Sequence, residues 1–146
     1  MKFKLIIDPS QEEEVTVIAH EPSPLTKQIG DLVLTHSGVD KLVGYTEDEM
    51  LLLPVTQIEC ITVLEGKTWA IDRHGDRYRL KQRLYELESQ LPPNFIRINK
   101  STFANEARIK KFSASFSGAV DAVFLCGYRE YVSRRCFAQI KRRYDG

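Results

Sequence analysis

Apolar and polar residues alternate along much of this 146-residue chain, a pattern that favours β-strands over helices. The opening "KFKLIID" alternates in this way, and "EEVTVIAH" follows it after a turn at "DPSQ", so a β-hairpin is predicted there. The next stretch, "EPSPLTKQIGDLVLTHSG", has its apolar residues at helical spacing instead, with Ser23 as the predicted N-cap. Residues 1–40 are interpreted as an acidic hairpin-plus-helix extension ahead of a second domain, residues 41–146.

Short strands separated by tight turns are predicted for most of the second domain. They cover "LVGYT", "EMLLLP", "QIECITVLE" and both halves of "KTWAIDRHGDRYRLK", which turns at His74. A short helix in "QRLYELESQLPP" places Leu84, Leu87 and Leu91 on one face, and residues 94–133 predict three or four further strands. The predicted fold class is therefore mainly β with short helices.

The chain is predicted to close on a helix, "RRCFAQIKRRY", that begins after Ser133 as N-cap. Phe137, Ile140 and Tyr144 are spaced three or four residues apart and form its predicted buried stripe. This stripe has to pack on the β core, so the cations of the same helix are expected to point outward.

The composition, with 42% hydrophobic and 28% charged residues, is that of an ordinary globular protein. No apolar run reaches the roughly 18–20 residues that a spanning helix needs, and the start does not resemble a signal peptide. The three cysteines are scattered and include no CxxC pair, so reduced thiols in a cytoplasmic protein are expected.

Charge is distributed unevenly along the chain, although the formal total is only +1. Residues 1–40 hold three Lys/Arg against seven Asp/Glu, and residues 41–90 hold seven against nine. Residues 91–146 hold eleven against four, a net charge of +7. Such segregation fits either an anionic partner or a merely solvated basic surface.

Motifs for catalysis and for metal or cofactor binding are missing from the sequence. His20, His36 and His74 lie far apart, without other ligands at metal-binding spacing, and are interpreted as surface or turn residues. There is no GxGxxG, P-loop or GxSxG pattern. The sequence therefore predicts a protein that is not an enzyme and that has no catalytic residue, metal site or cofactor.

Two basic stretches supply the candidate binding residues. In the last helix, the macrodipole accounts for cations at the C-terminal end but disfavours Arg134 and Arg135 at the N-terminal end, unless an anion lies nearby. The stretch "IRINKSTFANEARIKK" interleaves cations with polar donors, and such side chains bond phosphate oxygens and base edges. A nucleic-acid surface is the favoured interpretation.

The stretch "LYELESQLPPNFIRINKSTFAN", followed by "YVSRRCFAQIK", resembles the LytTR family of bacterial DNA-binding domains. The resemblance runs from about Leu42 to Tyr144, and the acidic front part is similar to that of short stand-alone members without a receiver domain. It implies an elongated sandwich of small β-sheets that binds double-stranded DNA through loops in successive major grooves.

The resemblance also implies which residues contact DNA. The Lys100 loop and Arg135 match base-contacting positions, and Lys67 is the better candidate in a third loop, where Glu65 would be a poor neighbour for phosphate. Arg97, Ser101 and Arg134 match phosphate-contacting or structural positions, and Asn105 matches a position that either holds a turn or touches DNA. The complete predicted DNA-binding set is Lys67, Arg97, Asn99, Lys100, Ser101, Asn105, Arg134 and Arg135.

Expected partners follow from the same resemblance: promoter repeats in double-stranded DNA, a second copy on that DNA, and a restraining small membrane protein. The acidic extension is expected to take that partner, to dimerise, or to cover the basic face. The alternative function is a protein-interaction module whose basic face binds an acidic partner, and an RNA-binding role ranks lower because the phenylalanines near the cations look like core residues.

Overall fold

The computed structural model of the protein describes residues 1–35, 38–114 and 117–145. The chain forms two compact units, Met1–Val33 and Leu34–Gly146. The domain division predicted between residues 40 and 41 stays a prediction, and the predicted role of His36 lies outside the described residues.

Most of helix α1, Pro24–Thr35, lies in the first unit, and the helix follows the predicted N-cap. The backbone N–H of Thr26 donates to Ser23 Oγ at 3.2 Å, and the backbone N–H of Ser23 donates to Thr26 Oγ1 at 2.9 Å. These reciprocal bonds satisfy backbone donors that have no partner inside the helix. The predicted cap is confirmed.

The predicted hairpin in residues 1–20 is wrong, because no strand is present in that segment. Its turn does form: the backbone N–H of Gln11 donates to the Asp8 carbonyl at 3.2 Å. The apolar residues on either side remain in water, with Phe3 and Ile18 each 91% exposed. Strand formation depends on a neighbouring strand and a packed face more than on intrinsic preference, and this segment has neither within its own unit.

The second unit is built on a seven-stranded antiparallel sheet in the order β2-β1-β5-β4-β3-β7-β6. Its strands are β1 Lys41–Tyr45, β2 Met50–Pro54, β3 Ile58–Leu64, β4 Lys67–Asp72, β5 Arg77–Leu80, β6 Phe95–Asn99 and β7 Thr102–Asn105. A three-stranded sheet in the order β10-β9-β8 comprises β8 Ile109–Ala114, β9 Val120–Phe124 and β10 Arg129–Val132. Helix α2, Leu84–Leu87, precedes β6, and helix α3, Arg134–Asp145, follows β10. The predicted mainly β fold class is confirmed.

Two apolar cores cover opposite faces of the large sheet. On one face, α2 packs Leu84 and Leu87 against strand residues such as Ile61 and Ala70, and Leu91 joins them as predicted. On the other face, the small sheet and α3 bury a second cluster around Phe124. Alternate strand residues therefore point into different cores, since successive side chains of a strand face opposite sides.

Residues 94–133 form five strands, one more than the upper limit of the prediction. The missed boundary lies between β6 and β7, where the chain reverses at Lys100 and Ser101 without Gly or Pro. The ladder also shifts register between Arg97 and Asn99, which marks an irregular strand end.

Helix α3 begins where the sequence predicts, with the Cys136 N–H donating to Ser133 Oγ at 3.2 Å. Ile140 is buried and Phe137 half-buried against the second core. Tyr144 departs from the predicted buried stripe: it is 64% exposed, and its hydroxyl bonds Glu106. The last turn of α3 extends past the core, so this residue covers a polar neighbour instead.

A buried ion pair connects the two sheets. Glu59, which is fully buried at a bulge in β3, accepts from Arg108 Nε at 2.5 Å and from the Cys126 N–H at 3.0 Å. Arg108 precedes β8 and Cys126 follows β9, so one carboxylate from the large sheet holds two segments of the small sheet.

Among the described helices, none has the length and apolar character needed to cross a membrane.

Candidate nucleic-acid interface

Two turns of the large sheet lie side by side at one of its ends. Strand β3 pairs with β7, with Thr62 opposite Thr102, and the Val63 N–H donates to the Ser101 carbonyl at 3.0 Å. The β3–β4 turn, which precedes Lys67, therefore lies beside the β6–β7 turn, which carries Lys100. Both lysines are exposed.

The start of α3 joins the same end of the sheet. The Ser133 N–H donates to the Ile98 carbonyl at 2.8 Å, and Asn99 Nδ2 donates to the Tyr131 carbonyl at 2.7 Å. These bonds connect β6 to the segment that leads into Arg134 and Arg135. Three separate parts of the chain thus present cations at one place, which we call the loop cluster: residues 65–67, 100–101 and 133–135.

The exposed cations of the loop cluster lack intramolecular partners for their charge. Lys67, Lys100, Arg134 and Arg135 take part in no ion pair within the part of the chain that the structure describes. Arg134 and Arg135 also lie at the positive end of the α3 dipole, where cations are disfavoured. An anion at this place would be stabilised by every one of these groups.

Asn99 directly precedes the Lys100 turn of the loop cluster and supports it, with only 8% of its own surface exposed. Besides its bond to Tyr131, its Oδ1 accepts from the Ser101 N–H at 2.8 Å. Glu130 lies 3.5 Å from Asn99 Nδ2 and accepts from the Tyr128 hydroxyl at 2.8 Å. Asn99 therefore fixes the β6–β7 turn and its neighbour β10 at the same time.

Arg97 also holds the turn that carries Lys100. Its Nη1 donates to the Lys100 carbonyl at 2.8 Å, and its guanidinium carbon lies 4.4 Å from the Phe103 ring centroid. Ser101 is half-buried, and both its backbone groups are bonded, to Asn99 and to Val63. Arg97 and Ser101, both predicted to contact DNA, thus stabilise the conformation of the Lys100 turn through bonds inside the protein.

Asn105 lies apart from the other predicted site residues, at the opposite end of β7. It is 1% exposed, and Nδ2 donates to the Ile58 carbonyl at 3.0 Å and the Val55 carbonyl at 3.4 Å. Its Oδ1 accepts from Asn94 Nδ2 at 3.0 Å and from the Ala107 N–H at 3.1 Å. All four hydrogen-bonding positions of the amide are used inside the protein.

Tyr128 and Glu130 support the side chain of Asn99, and the sequence did not indicate either of them. Burial, and then the hydrogen bond to Glu130, raise the pKa of Tyr128 well above its ordinary value, so the phenol keeps its proton and this hydrogen bond at alkaline pH as well. Glu130 is 31 residues away from Asn99, and no spacing in the sequence could have linked them. A half-buried contact between such distant residues is found only once the strands are placed.

The fold and site define a class of protein: a mainly β domain that carries exposed cations on two turns and a helix start at one end of its large sheet. A family model described as the LytTr DNA-binding domain matches residues 48–145, which include every predicted site residue. The chain belongs to the LytTR family of DNA-binding domains.

Relatives in Staphylococcus aureus extend the likeness to nearly the whole chain. Proteins from strains RF122, MSSA476 and MW2 are each 32% identical over 146 residues, covering 98% of this chain and 97% of their own length. All three bear the name uncharacterized HTH-type transcriptional regulator. The likeness therefore includes the acidic extension as well as the DNA-binding domain.

A solved structure, a LytTr DNA-binding domain from Bacillus cereus, has the same fold. It superposes with a TM-score of 0.64 at 22% identity, covering 72% of this chain and 96% of the domain. The resemblance to the LytTR family that the two basic stretches show is confirmed.

Proposed function

We propose that this protein is a transcriptional regulator that binds specific double-stranded DNA sequences by inserting its loop cluster into the major groove. The observation that carries the proposal is that hydrogen bonds join two hairpin turns and the start of α3, so that exposed cations from distant parts of the sequence share one end of the sheet. The family membership and the names of the relatives support it.

Within this proposal, Lys100 and Arg135 read base edges, because both are exposed at the tips of their segments. Lys67 and Arg134 bind phosphate beside them. Arg97, Asn99 and Ser101 act by positioning the Lys100 turn, since the Arg97 guanidinium, the Asn99 amide and the Ser101 backbone N–H already bond within the protein. DNA contact by Asn105 stays a prediction, and its saturated amide supports the alternative role of holding a turn.

Replacement of Arg135 tests the base-reading role. Arg135→Ala is expected to weaken binding to the selected site by about 1–3 kcal/mol and to relax preference at one base position, because a guanidinium that reads a base edge is lost. The measurement is a titration of site-containing and random duplexes, after the site has been selected from a random pool.

The matched control is Arg142→Ala, which removes the same exposed side chain from the far end of the same helix. It is expected to leave base preference intact. Equal losses on the selected and random duplexes for Arg135→Ala would contradict base reading. A protein that selects no duplex, yet still captures an acidic protein, would favour the interaction-module alternative.

Promoter repeats and two copies of the chain form the second part of the proposal. The first unit leaves Phe3, Ile7 and Ile18 exposed to water, and burial of such side chains against a second copy would be favourable. The same surface is the proposed contact for a restraining small membrane protein.

Removal of residues 1–40 tests this role. The shortened chain is expected to sediment as a monomer, whereas the full chain associates, because the exposed apolar side chains of the first unit are gone. Analytical ultracentrifugation with and without duplex is the measurement. Identical sedimentation of the two chains would contradict a role for the extension in self-association.

A further inference from the structure

A second group of cations, outside the loop cluster, lies on the face of the large sheet that carries the second core. In the β4–β5 ladder, Trp69 is opposite Arg79 and Ile71 is opposite Arg77. Because side chains alternate along a strand, Arg77, Arg79 and Lys81 share the face of Lys67 and Trp69. Ile71 is buried in the second core, whereas Arg77 and Lys81 are exposed.

Two aromatic rings hold the cations of this face. The guanidinium carbon of Arg77 lies 4.8 Å from the Trp69 ring centroid, and Lys81 Nζ lies 4.3 Å from the Tyr45 ring centroid. Tyr45 is the partner of Arg79 in the β1–β5 ladder. Each ring lies under a cation, which favours an outward position for the charge.

The charges of this face are not neutralised from within. Lys67, Arg77, Arg79 and Lys81 form no ion pair across the described ranges of the chain. Beyond the last ladder pair, Thr68 with Leu80, the next two residues along the strands are Lys67 and Lys81. Lys67 and Lys81 therefore extend the row of cations past the end of the ladder.

We propose that this cation–aromatic face binds the phosphates of the duplex that flanks the site read by the loop cluster. Lys67 belongs to both surfaces, so the face continues the interface without a break. Arg77 and Arg79 are two residues apart on one strand, a step of about 6.8 Å, which is on the order of the rise of two nucleotides. The acidic β1–β2 turn, with Glu47, Asp48 and Glu49, bounds the surface beyond Lys81.

This inference rests on the proposed function and extends it to the length of DNA that is bound. It explains cations that the base-reading residues do not require. The exposed apolar residues Met50 and Leu52 of β2 lie on the same sheet face, opposite Tyr45 and Val43. A protein partner that docks there is therefore the competing outcome.

The test compares two duplexes, the selected site alone and the site extended by about one helical turn of DNA, roughly ten base pairs, on each side. For the wild-type chain, the salt dependence of binding is expected to be steeper on the long duplex. The double variant Arg79→Gln/Lys81→Gln is expected to make the negative slope of log K against log salt shallower by about 1.8 on the long duplex, because two phosphate contacts are lost. On the short duplex, the variant and the wild type are expected to bind alike.

Two further variants keep the result interpretable. The charge-conserving Arg79→Lys/Lys81→Arg is expected to keep the steep slope. That result would attribute the salt dependence to the charges and not to the packing of Arg79. The matched control Lys2→Gln/Lys4→Gln removes two exposed cations from the first unit. It is expected to leave the salt dependence of binding unchanged on both duplexes.

Equal slopes for the wild type and Arg79→Gln/Lys81→Gln on the long duplex would overturn the inference while leaving the proposed function intact. An equal loss for the Lys2/Lys4 control would also overturn it, since net charge alone would then explain the effect. A wild-type chain that fails to distinguish its selected site from random duplex would overturn the proposed function, and this inference with it.

Discussion

Asn99 and Asn105 show how differently two identical side chains are used within seven residues of chain. Asn99 ties a surface turn to β10, while Asn105 is enclosed and bonds the Ile58 and Val55 carbonyls from another part of the sheet. The sequence predicts both as polar donors near DNA, because spacing alone does not show which side of a strand end is covered. Burial of the second asparagine depends on a contact 47 residues away in sequence.

Asn105→Ala is expected to destabilise the fold by about 3 kcal/mol, because removal of the amide leaves several buried partners without a hydrogen bond. Urea unfolding followed by tryptophan fluorescence measures the loss. Ser89→Ala, at an exposed position after α2, serves as a control that is expected to change little. A loss of stability under about 1 kcal/mol would argue that water replaces the amide.

At the scale of elements, the β3–β4 turn shows a conflict between local conformation and residue type. Glu65 has φ 53° and Gly66 has φ 73°, so both are left-handed, as two-residue hairpin turns require. Glycine adopts this conformation freely, but glutamate does so at a cost on the order of 1–2 kcal/mol. The same glutamate places a carboxylate in the loop cluster, next to Lys67.

Glu65→Asn is expected to raise the free energy of unfolding by about 0.5–1 kcal/mol, since asparagine tolerates the left-handed region far better. It is also expected to strengthen DNA binding, because a charge that repels phosphate is removed. Urea unfolding and duplex titration measure the two effects.

Glu65→Gln separates these two causes, because it removes the charge and keeps the conformational cost. Its expected result is tighter DNA binding at unchanged stability. If both variants stabilised the protein equally, the gain would come from charge and the turn would carry no strain.

Elements with their own local signals were predicted well, and those that depend on distant partners were not. The cap of α3, the leucine face of α2 and the turn at His74 follow from neighbouring residues. The β6–β7 turn was missed because the Asn99 side chain bonds the Ser101 N–H there, in place of a glycine or proline signal. The hairpin in residues 1–20 was predicted from strand preference, but it lacks a sheet to join.

At the scale of the whole molecule, two titratable groups in the second core make the fold sensitive to alkaline pH. Burial is the main cause that raises the pKa of the Cys60 thiol well above its ordinary value of 9.0, and it also raises the pKa of Tyr128 above 10.0. In the unfolded chain, both groups would lose their protons near those ordinary values. The folded state then holds more protons than the unfolded state, so the free energy of unfolding falls as pH rises.

The expected result is constant stability from these two groups below about pH 9, followed by a decline that steepens above about pH 10. Urea unfolding at a series of pH values measures the decline. Tyr128→Phe is expected to flatten the part above about pH 10, although it also removes the bond to Glu130. Stability that rises over this range would contradict the burial of both groups.

The name HTH-type, borne by the Staphylococcus aureus relatives, refers to two consecutive helices, an arrangement that the described residues of this chain do not contain. Among the described residues, α1 is followed by β1, α2 lies between β5 and β6, and α3 follows β10. The cations at one end of the sheet come instead from two hairpin turns and one helix start. Their common placement could be inferred only from the family resemblance, because the sequence separates the turns by more than thirty residues.

The loop cluster is held together mainly by bonds to the main chain and by Asn99, whereas the side chains of its exposed tips, Lys67, Lys100 and Arg135, make none of those bonds. Each of these three side chains can therefore be substituted without destabilising the turns that carry them. Within the proposed function, a change at these three positions alone would therefore give a duplicated copy of the gene a different DNA target while its fold stays the same.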